Sequence, residues 1–415
     1  MDSLHLKKVP PTLRGDIRLD GSKSISNRAL IVTALAGGQP ADWLQNLSIS
    51  KDTQTLRQLL ENQHNTFDAG DAGTTFRFLT AYLATRPDTQ ILTGSERMRE
   101  RPVGPLVQAL QSLGADIQFL EKDGYPPLRI GPFRASGQRS VRIHAGTSSQ
   151  FLSALLLVGP YLPDGLELVP DGPLVSRPYL QMTLKLMQHF GAQADWSGDK
   201  IVVQPIGYQL KPLAVEADWS AASYWYAMAV FAENVDLKLR GLFAESWQGD
   251  SVLAAMMTGF GIETTFEPDG IRLRKSGQPP KPIFEKDFTD CPDIAQTLAV
   301  VCAGLGVKGV FSGLETLAIK ETDRIAALKT ELKKVGVSFA KLPPHFSKKQ
   351  PDRTFYLLDG KAAWAEPPRF ASYGDHRMAM SFAPLAFFGD IEIENPAVVA
   401  KSYPGFWEDL RMVSG

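Results

Sequence analysis

Val103-Gly104-Pro105-Leu106-Val107-Gln108-Ala109-Leu110-Gln111-Ser112-Leu113-Gly114-Ala115-Asp116-Ile117-Gln118-Phe119 is the stretch whose reading decides the fold. It begins as an amphipathic helix over 103–113, then changes period to a strand in which apolar and polar residues alternate. Gly114 stands at the change, where a helix that stops favours a residue able to take left-handed backbone angles. An apolar helix, opened by Thr74-Thr75-Phe76-Arg77, and a short strand precede it, and a second strand follows. The unit is therefore a polar stretch, an apolar helix, a strand, a loop, an amphipathic helix, a glycine and two strands.

This layout recurs. A second copy begins at Ser148-Ser149-Gln150 and runs through a helix at 178–190 to Gly191. A third begins at Ser220-Ala221-Ala222-Ser223 and reaches Gly261 before Ile262-Glu263-Thr264-Thr265-Phe266, and a fourth begins at Asp293 and carries a helix at 325–335 to Gly336. Two more copies are incomplete. One starts near Lys23, has its helices, and passes from 56–61 almost directly to Asp71, without its strand pair. The other runs from a helix at 378–388 through Ile391-Glu392-Ile393 to a helix near 407–412 and stops. Its missing strands are expected from the N-terminus, where Leu4-His5-Leu6 and Asp16-Ile17-Arg18-Leu19 read as strands. The expectation is an α/β chain of two discontinuous lobes: 21–216 with three repeats, the first shortened, and 1–20 with 217–415 with the other three. The two crossings then lie near Gly21 and Ala217, as a hinge requires.

The composition agrees with a folded enzyme. At 415 residues, 44% hydrophobic and 21% charged, the chain has ample material for two or three cores. Its apolar runs, such as 151–158, are far below the roughly 18–20 residues of a membrane span. The N-terminus has no apolar signal core, and two cysteines make neither a disulfide framework nor a zinc site, so a cytoplasmic location is expected. Forty-four basic residues against 45 acidic give a net charge of −1, which argues against a sequence-blind nucleic-acid binder.

Cations gather where the apolar helices begin. Gly21-Ser22-Lys23-Ser24-Ile25-Ser26-Asn27-Arg28, Gly70-Asp71-Ala72-Gly73-Thr74-Thr75-Phe76-Arg77 and Tyr373-Gly374-Asp375-His376-Arg377 each lead into one. A helix start already carries partial positive charge, so a sequence shaped for stability alone places acids there. Lys and Arg at such places make sense if an anion binds between them; the plainer reading is pairing with a neighbouring acid such as Asp375. Lys320 and Arg324, four apart in Lys320-Glu321-Thr322-Asp323-Arg324, would share a helix face, with Glu321 as a proton donor beside them or Asp323 as a dipole partner. Ser148-Ser149-Gln150 and Ser176-Arg177-Pro178-Tyr179 offer hydroxyls for phosphate or polyol oxygens, or plain N-caps. Asp293, after Pro292, is a general base toward a hydroxyl or a dipole partner. Arg97-Met98-Arg99-Glu100-Arg101-Pro102 reads as a loop, solvated or clamping a carboxylate through its arginine before proline. The residues lead to an enzyme holding small, multiply anionic substrates between two domains.

Taken in order, these segments resemble the 5-enolpyruvylshikimate-3-phosphate synthase family, the most specific strings being Lys320–Arg324 and Asp375-His376-Arg377-Met378-Ala379-Met380. The resemblance implies two domains of three βαβαββ units each, the enolpyruvyl transferase inverted barrel. It implies transfer of enolpyruvate from phosphoenolpyruvate to the 5-hydroxyl of shikimate 3-phosphate, without metal or organic cofactor, by a monomer that binds neither nucleic acid nor membrane. Carried over by position, Lys23, Ser24, Arg28, Ser148, Ser149, Gln150, Ser176, Tyr179, Asp293, Thr316 and Lys320 would hold shikimate 3-phosphate. Lys23, Gly73, Arg101, Gln150, Arg324, Arg377 and Lys401 would surround phosphoenolpyruvate. Asp293 would deprotonate the hydroxyl, and Glu321, with Lys23, would protonate the methylene. Three positions depart from the family: Asp71 and Thr316, where relatives commonly have Asn, and Phe78, where proline is common. UDP-N-acetylglucosamine enolpyruvyl transferases share the fold but usually carry a loop cysteine, and 97–102 has none. A non-catalytic binder of phosphorylated metabolites would have no use for Asp293 and Glu321.

Overall fold

The repeat becomes a four-stranded sheet with two helices. In the computed structural model, which describes all residues except 1, 62–63, 145–147, 173, 175, 348–352 and 415, the copy around Gly114 shows the pattern. Strand Thr66–Asp68 leads through helix Gly73–Leu83 to strand Gln90–Thr93, and then through Glu96–Arg99 and Gly104–Leu113 to Ile117–Phe119 and Leu128–Ile130. The first two strands are parallel. The last strand inserts antiparallel beside the second, and the third closes the edge, giving the spatial order 1-2-4-3. The copies Ser140–Val203 and Ile283–Asp359 repeat that order. Gly114, Gly191, Gly261 and Gly336 all take positive φ, from 78° to 113°, after their helices.

The N-terminal strands are divided, and this corrects the expectation that both complete the last copy. Ser3–Leu6 does so, antiparallel to Ile391–Glu394. Thr12–Arg18 instead pairs in parallel with Asn234–Arg240 and opens the copy that continues with helix Trp219–Phe231. The reason is local: Asp218 already caps that helix, so the chain after Ala217 has no room for an opening strand. Leu13 and Ile17 alternate with exposed Arg14, Asp16 and Arg18, so one face of the borrowed strand joins the core of Leu237 and Leu239. The shortened copy borrows in the same way: Leu213–Ala214 pairs in parallel with Leu44–Gln45. After helix Lys51–Leu60 the next strand among the described residues is Thr66–Asp68, already part of the following sheet.

The chain thus divides into a host unit, Met1–Asp20 with Glu216–Gly415, and an insert, Gly21–Val215. The insert interrupts the link between Thr12–Arg18 and Trp219–Phe231. In each unit the first helices of the copies are the buried ones. Residues 25–33, 151–158 and 219–230 are buried without a break, as helices surrounded by others require. Ser223, Thr297 and Ser381, one from each buried helix of the host unit, meet through hydroxyls at 3.0 and 3.3 Å. Polar groups otherwise collect where these helices begin.

Candidate active site

In the host unit, a carboxylate lies among three cations. Asp293 sits on a single 3-10 turn, Pro292–Ile294, that runs into helix Ala295–Leu305. Its Oδ1 accepts from Arg324 Nη1 at 3.2 Å and lies 3.7 Å from Lys320 Nζ, while Oδ2 accepts from Arg377 Nη2 at 3.0 Å. Arg324 also donates to Glu321 at 3.0 Å and to Asp375 at 2.7 Å, and Glu321 lies 3.6 Å from Lys401 Nζ. Four cations therefore share three carboxylates, leaving one positive charge in excess. Burial opposes the charge on Arg324, but Asp375, Glu321 and Asp293 outweigh it and raise its pKa. Lys320 moves the other way, because burial dominates and the pull of Asp293 only partly offsets it.

Lys320 and Arg324 do not share a helix face. Asp323 caps helix Arg324–Lys333, accepting from Ile325 and Ala326 N–H, so Lys320 belongs to the preceding turn. What brings them together is Asp293 Oδ1, the anion between two like charges. A second carboxylate lies deeper. Asp250 accepts from Ser220 Oγ at 2.5 Å, and burial, reinforced by Asp293, lifts its pKa to about 7. Thr316, on the turn Glu315–Ile319, has a buried hydroxyl with no partner among the described residues.

In the insert, the cations lie within the first two turns of their helices rather than ahead of them. Lys23 opens Lys23–Leu35 and pairs with Asp52 at 3.1 Å. Arg28, one turn on, is 2% exposed and donates to Ser24 O, Ser153 Oγ and Thr183 Oγ1 at 2.7 to 3.0 Å. The rings of Phe78 and Tyr179 lie 5.3 and 6.0 Å from its guanidinium. None of these contacts is a carboxylate; burial draws the pKa of Arg28 down to about 10, with Tyr179 opposing, so the group stays charged at neutral pH. A buried cation whose hydrogen-bond partners among the described residues are neutral is suited to an anionic ligand.

Arg101 is placed against a helix start. The backbone of Gly73, first residue of Gly73–Leu83, lies so close that a Cβ there would be 2.5 Å from Arg101 Nη1. Arg101 Nε is buried with no partner among the described residues. Its neighbours Arg97 and Arg99 are solvated: they form a short helix, Glu96–Arg99, not a loop, and pair with Glu100 and Glu121. Gln150 has both amide ends engaged, the oxygen by Arg77 and the nitrogen by Thr74 Oγ1 at 2.9 Å. Ser148 takes the plainer of its two roles, capping Ser149–Val158 through Gln150 N–H. Ser176, before Arg177–His189, sits at φ 57° and makes no capping bond. Asp71, exposed, accepts from the Ser95 hydroxyl.

Reasoning from the sequence missed several partners. Asp52 gives no signal of its own, because it meets Lys23 across 29 positions. Thr74 and Arg77 stood in the quoted motifs, where their helical spacing of three is the available clue, and Asp375, read as the partner of a neighbouring cation, pairs with the distant Arg324. Asp250 became visible only through its burial.

A family model described as EPSP synthase (3-phosphoshikimate 1-carboxyvinyltransferase) matches residues 8–64 and 55–410. The chain is 45% identical to a 3-phosphoshikimate 1-carboxyvinyltransferase of Bacteroides fragilis strain YCH46, over 98% of this chain and 97% of that one. It is 35% identical to the enzyme of that name from Cellvibrio japonicus, over 96% and 97%. Among solved structures, an EPSP synthase from Acinetobacter baumannii aligns with a TM-score of 0.77 at 21% identity, over 99% of this chain and 98% of that one. The enolpyruvyl transferase NikO from Streptomyces tendae aligns with a TM-score of 0.70 at 15% identity, over 99% and 96%. Both likenesses concern the fold.

Proposed function

Because the chain belongs to the EPSP synthase family, we infer that it transfers the enolpyruvyl group of phosphoenolpyruvate to the 5-hydroxyl of shikimate 3-phosphate and releases phosphate. This is a step of the shikimate pathway toward aromatic amino acids. The fold is the enolpyruvyl transferase inverted barrel. Among the described residues no helix is long and apolar enough to cross a membrane.

The observation that supports this reading most is Asp293, a carboxylate oriented by three cations and followed by a buried helix. The chemistry needs a base for a hydroxyl, an acid for a vinyl carbon and fixed positive charge for two phosphates and two carboxylates. Asp293 takes the proton of the 5-hydroxyl while Glu321, with Lys23, delivers one to the methylene carbon. The hydroxyl oxygen then bonds to the adjacent carbon. In the tetrahedral adduct the carbon–oxygen bond to phosphate breaks, a methyl proton returns to the protein, and the enol ether forms.

From the insert, Ser24, Arg28, Ser148, Ser149, Gln150, Ser176 and Tyr179 hold shikimate 3-phosphate, and Lys23, Gly73, Arg101 and Gln150 serve phosphoenolpyruvate. From the host unit, Thr316 and Lys320 serve the first substrate, and Arg324, Arg377 and Lys401 the second. Arg324 is fixed by several bonds, so it meets the charge developing on the departing phosphate with little reorganisation, and Arg28, likewise fixed, holds the phosphate of the other substrate. The deciding assay mixes the protein with both substrates and follows inorganic phosphate. Release that needs both is expected, and UDP-N-acetylglucosamine should not replace shikimate 3-phosphate. Silence with both present overturns the reading.

A further inference from the structure

One fully buried carboxylate near the cation cluster has no part in the chemistry above. Glu331 lies on helix Arg324–Lys333, seven residues after Arg324 and so close to two turns along the same face. Its side chain is 0% exposed. Both residues reach the same short segment. Arg324 takes Asp375, while Glu331 Oε2 accepts from Ala371 N–H at 3.0 Å and Oε1 from the Tyr373 hydroxyl at 2.6 Å. Lys334 completes the set, donating to Glu331 at 2.6 Å and to the carbonyl of Arg369 at 2.7 Å.

The segment held this way is strained. Asp375 N–H bonds to Ser372 O at 2.9 Å, closing a four-residue turn. Its two central residues, Tyr373 and Gly374, have φ of 56° and 68°. Glycine adopts such angles freely, but a bulky aromatic seldom does unless its surroundings impose them. The last residue of the turn is Asp375, which caps helix His376–Phe382 by accepting from Arg377 N–H at 2.8 Å. The direction in which Arg377 leaves that helix start is therefore set by the turn.

We propose that Glu331 is a positioning residue: by holding Ala371 and Tyr373 it keeps the turn left-handed and so sets the place of Arg377 toward phosphoenolpyruvate. The proposal rests on the assignment of Arg377 made above. Glu331 itself touches no substrate, and Tyr373 is its working contact. The turn and the helix are clamped at two points, Arg324 with Asp375 and Glu331 with Tyr373, so releasing one lets the other pivot.

Three variants test it: Tyr373→Phe, Glu331→Gln, and Lys334→Met as a structural control that leaves both turn contacts in place. Each is assayed for kcat, for the KM of both substrates and for Tm. Losing the hydroxyl bond to Glu331 in Tyr373→Phe is expected to raise the KM for phosphoenolpyruvate roughly 3- to 10-fold, with the KM for shikimate 3-phosphate within about twofold. Glu331→Gln, which turns an amide donor toward another donor, should move in the same direction and further. Lys334→Met should lower Tm and leave both KM values alone. If Tyr373→Phe changes only Tm, or both KM values rise together, or Lys334→Met copies the effect, the proposal is overturned while the function stands. A wild type that releases no phosphate sinks the functional reading, and this inference with it.

Discussion

Arg324 shows how a residue can be both buried and useful. Its three nitrogens meet Asp375, Glu321 and Asp293, so its position is fixed by carboxylates on three separate segments. Two of those acids carry the proton transfers in the function proposed above. Asp293→Ala and Glu321→Ala should each lower kcat by roughly 10²- to 10⁴-fold, the range of general acid–base catalysis, as read by phosphate release. Turnover left intact would cancel these roles. Asp71 puts a carboxylate two positions before Gly73, beside the site proposed above for phosphoenolpyruvate. Asp71→Asn should lower the KM for phosphoenolpyruvate, and an unchanged or higher value would count against that view. Asp250 has a pH signature. Its pKa rises from 3.8 in the unfolded chain to about 7 on folding, so between those values the folded state binds a proton that the unfolded chain has lost. Stability from this group therefore falls as pH rises through that window, and above it the ionised carboxylate opposes folding. Asp250→Asn should melt higher than the wild type at pH 8, and the gain should shrink toward pH 5; a pH-independent difference would refute the assignment.

At the scale of elements, the second helix of the copy Ile283–Asp359 matters most, because Asp323, Arg324 and Glu331 all lie on or beside it. Asp323 satisfies two N–H groups of its first turn at 3.1 and 3.0 Å. Asp323→Ala should cost about 1 kcal/mol of stability, measured by denaturant titration. The borrowed strands are a second case. Ser3–Leu6 covers the edge of Ile391–Glu394 with four registered pairs. Removing residues 2–8 should lower Tm and leave that strand as an open edge prone to association, visible in light scattering. On the exposed face of the other borrowed strand, Arg240 joins Asp16 to Asp269, and Arg272 joins Glu267 to Asp236. These pairs are largely solvated and contribute little individually. Leu13 and Ile17 beneath them carry the attachment.

For the whole molecule, the last residue of the insert is tied back into the insert's own first copy. Val215 N–H bonds to Gln45 O at 2.9 Å, and Asn46 Nδ2 to Val215 O at 2.8 Å. On the host side Asp218 N–H reaches Asp20 O at 3.1 Å, and Glu216 accepts from Trp219, Ser246 and Gln248. We propose that the insert folds by itself: residues 21–215 expressed alone should unfold cooperatively on heating, and a fragment without a thermal transition would deny it. The sequence by itself determined the repeat, because a helix that ends on glycine and turns into an alternating strand is a local event, written in neighbouring residues such as Leu113, Gly114 and Ala115. It also determined which residues gather at helix starts, since those lie in short contiguous strings. Only the tertiary structure decided the partners. A strand's pattern shows which face is buried but not which neighbour it joins, so the strand expected at 16–19 in the last copy is found as Thr12–Arg18 in another sheet. Likewise the anion joining Lys320 to Arg324 is Asp293, some thirty positions away, and the hold of Glu331 on Tyr373 spans 42. Hydrogen bonds and charges act through space, and the periodicity of one segment carries no record of what packs against it.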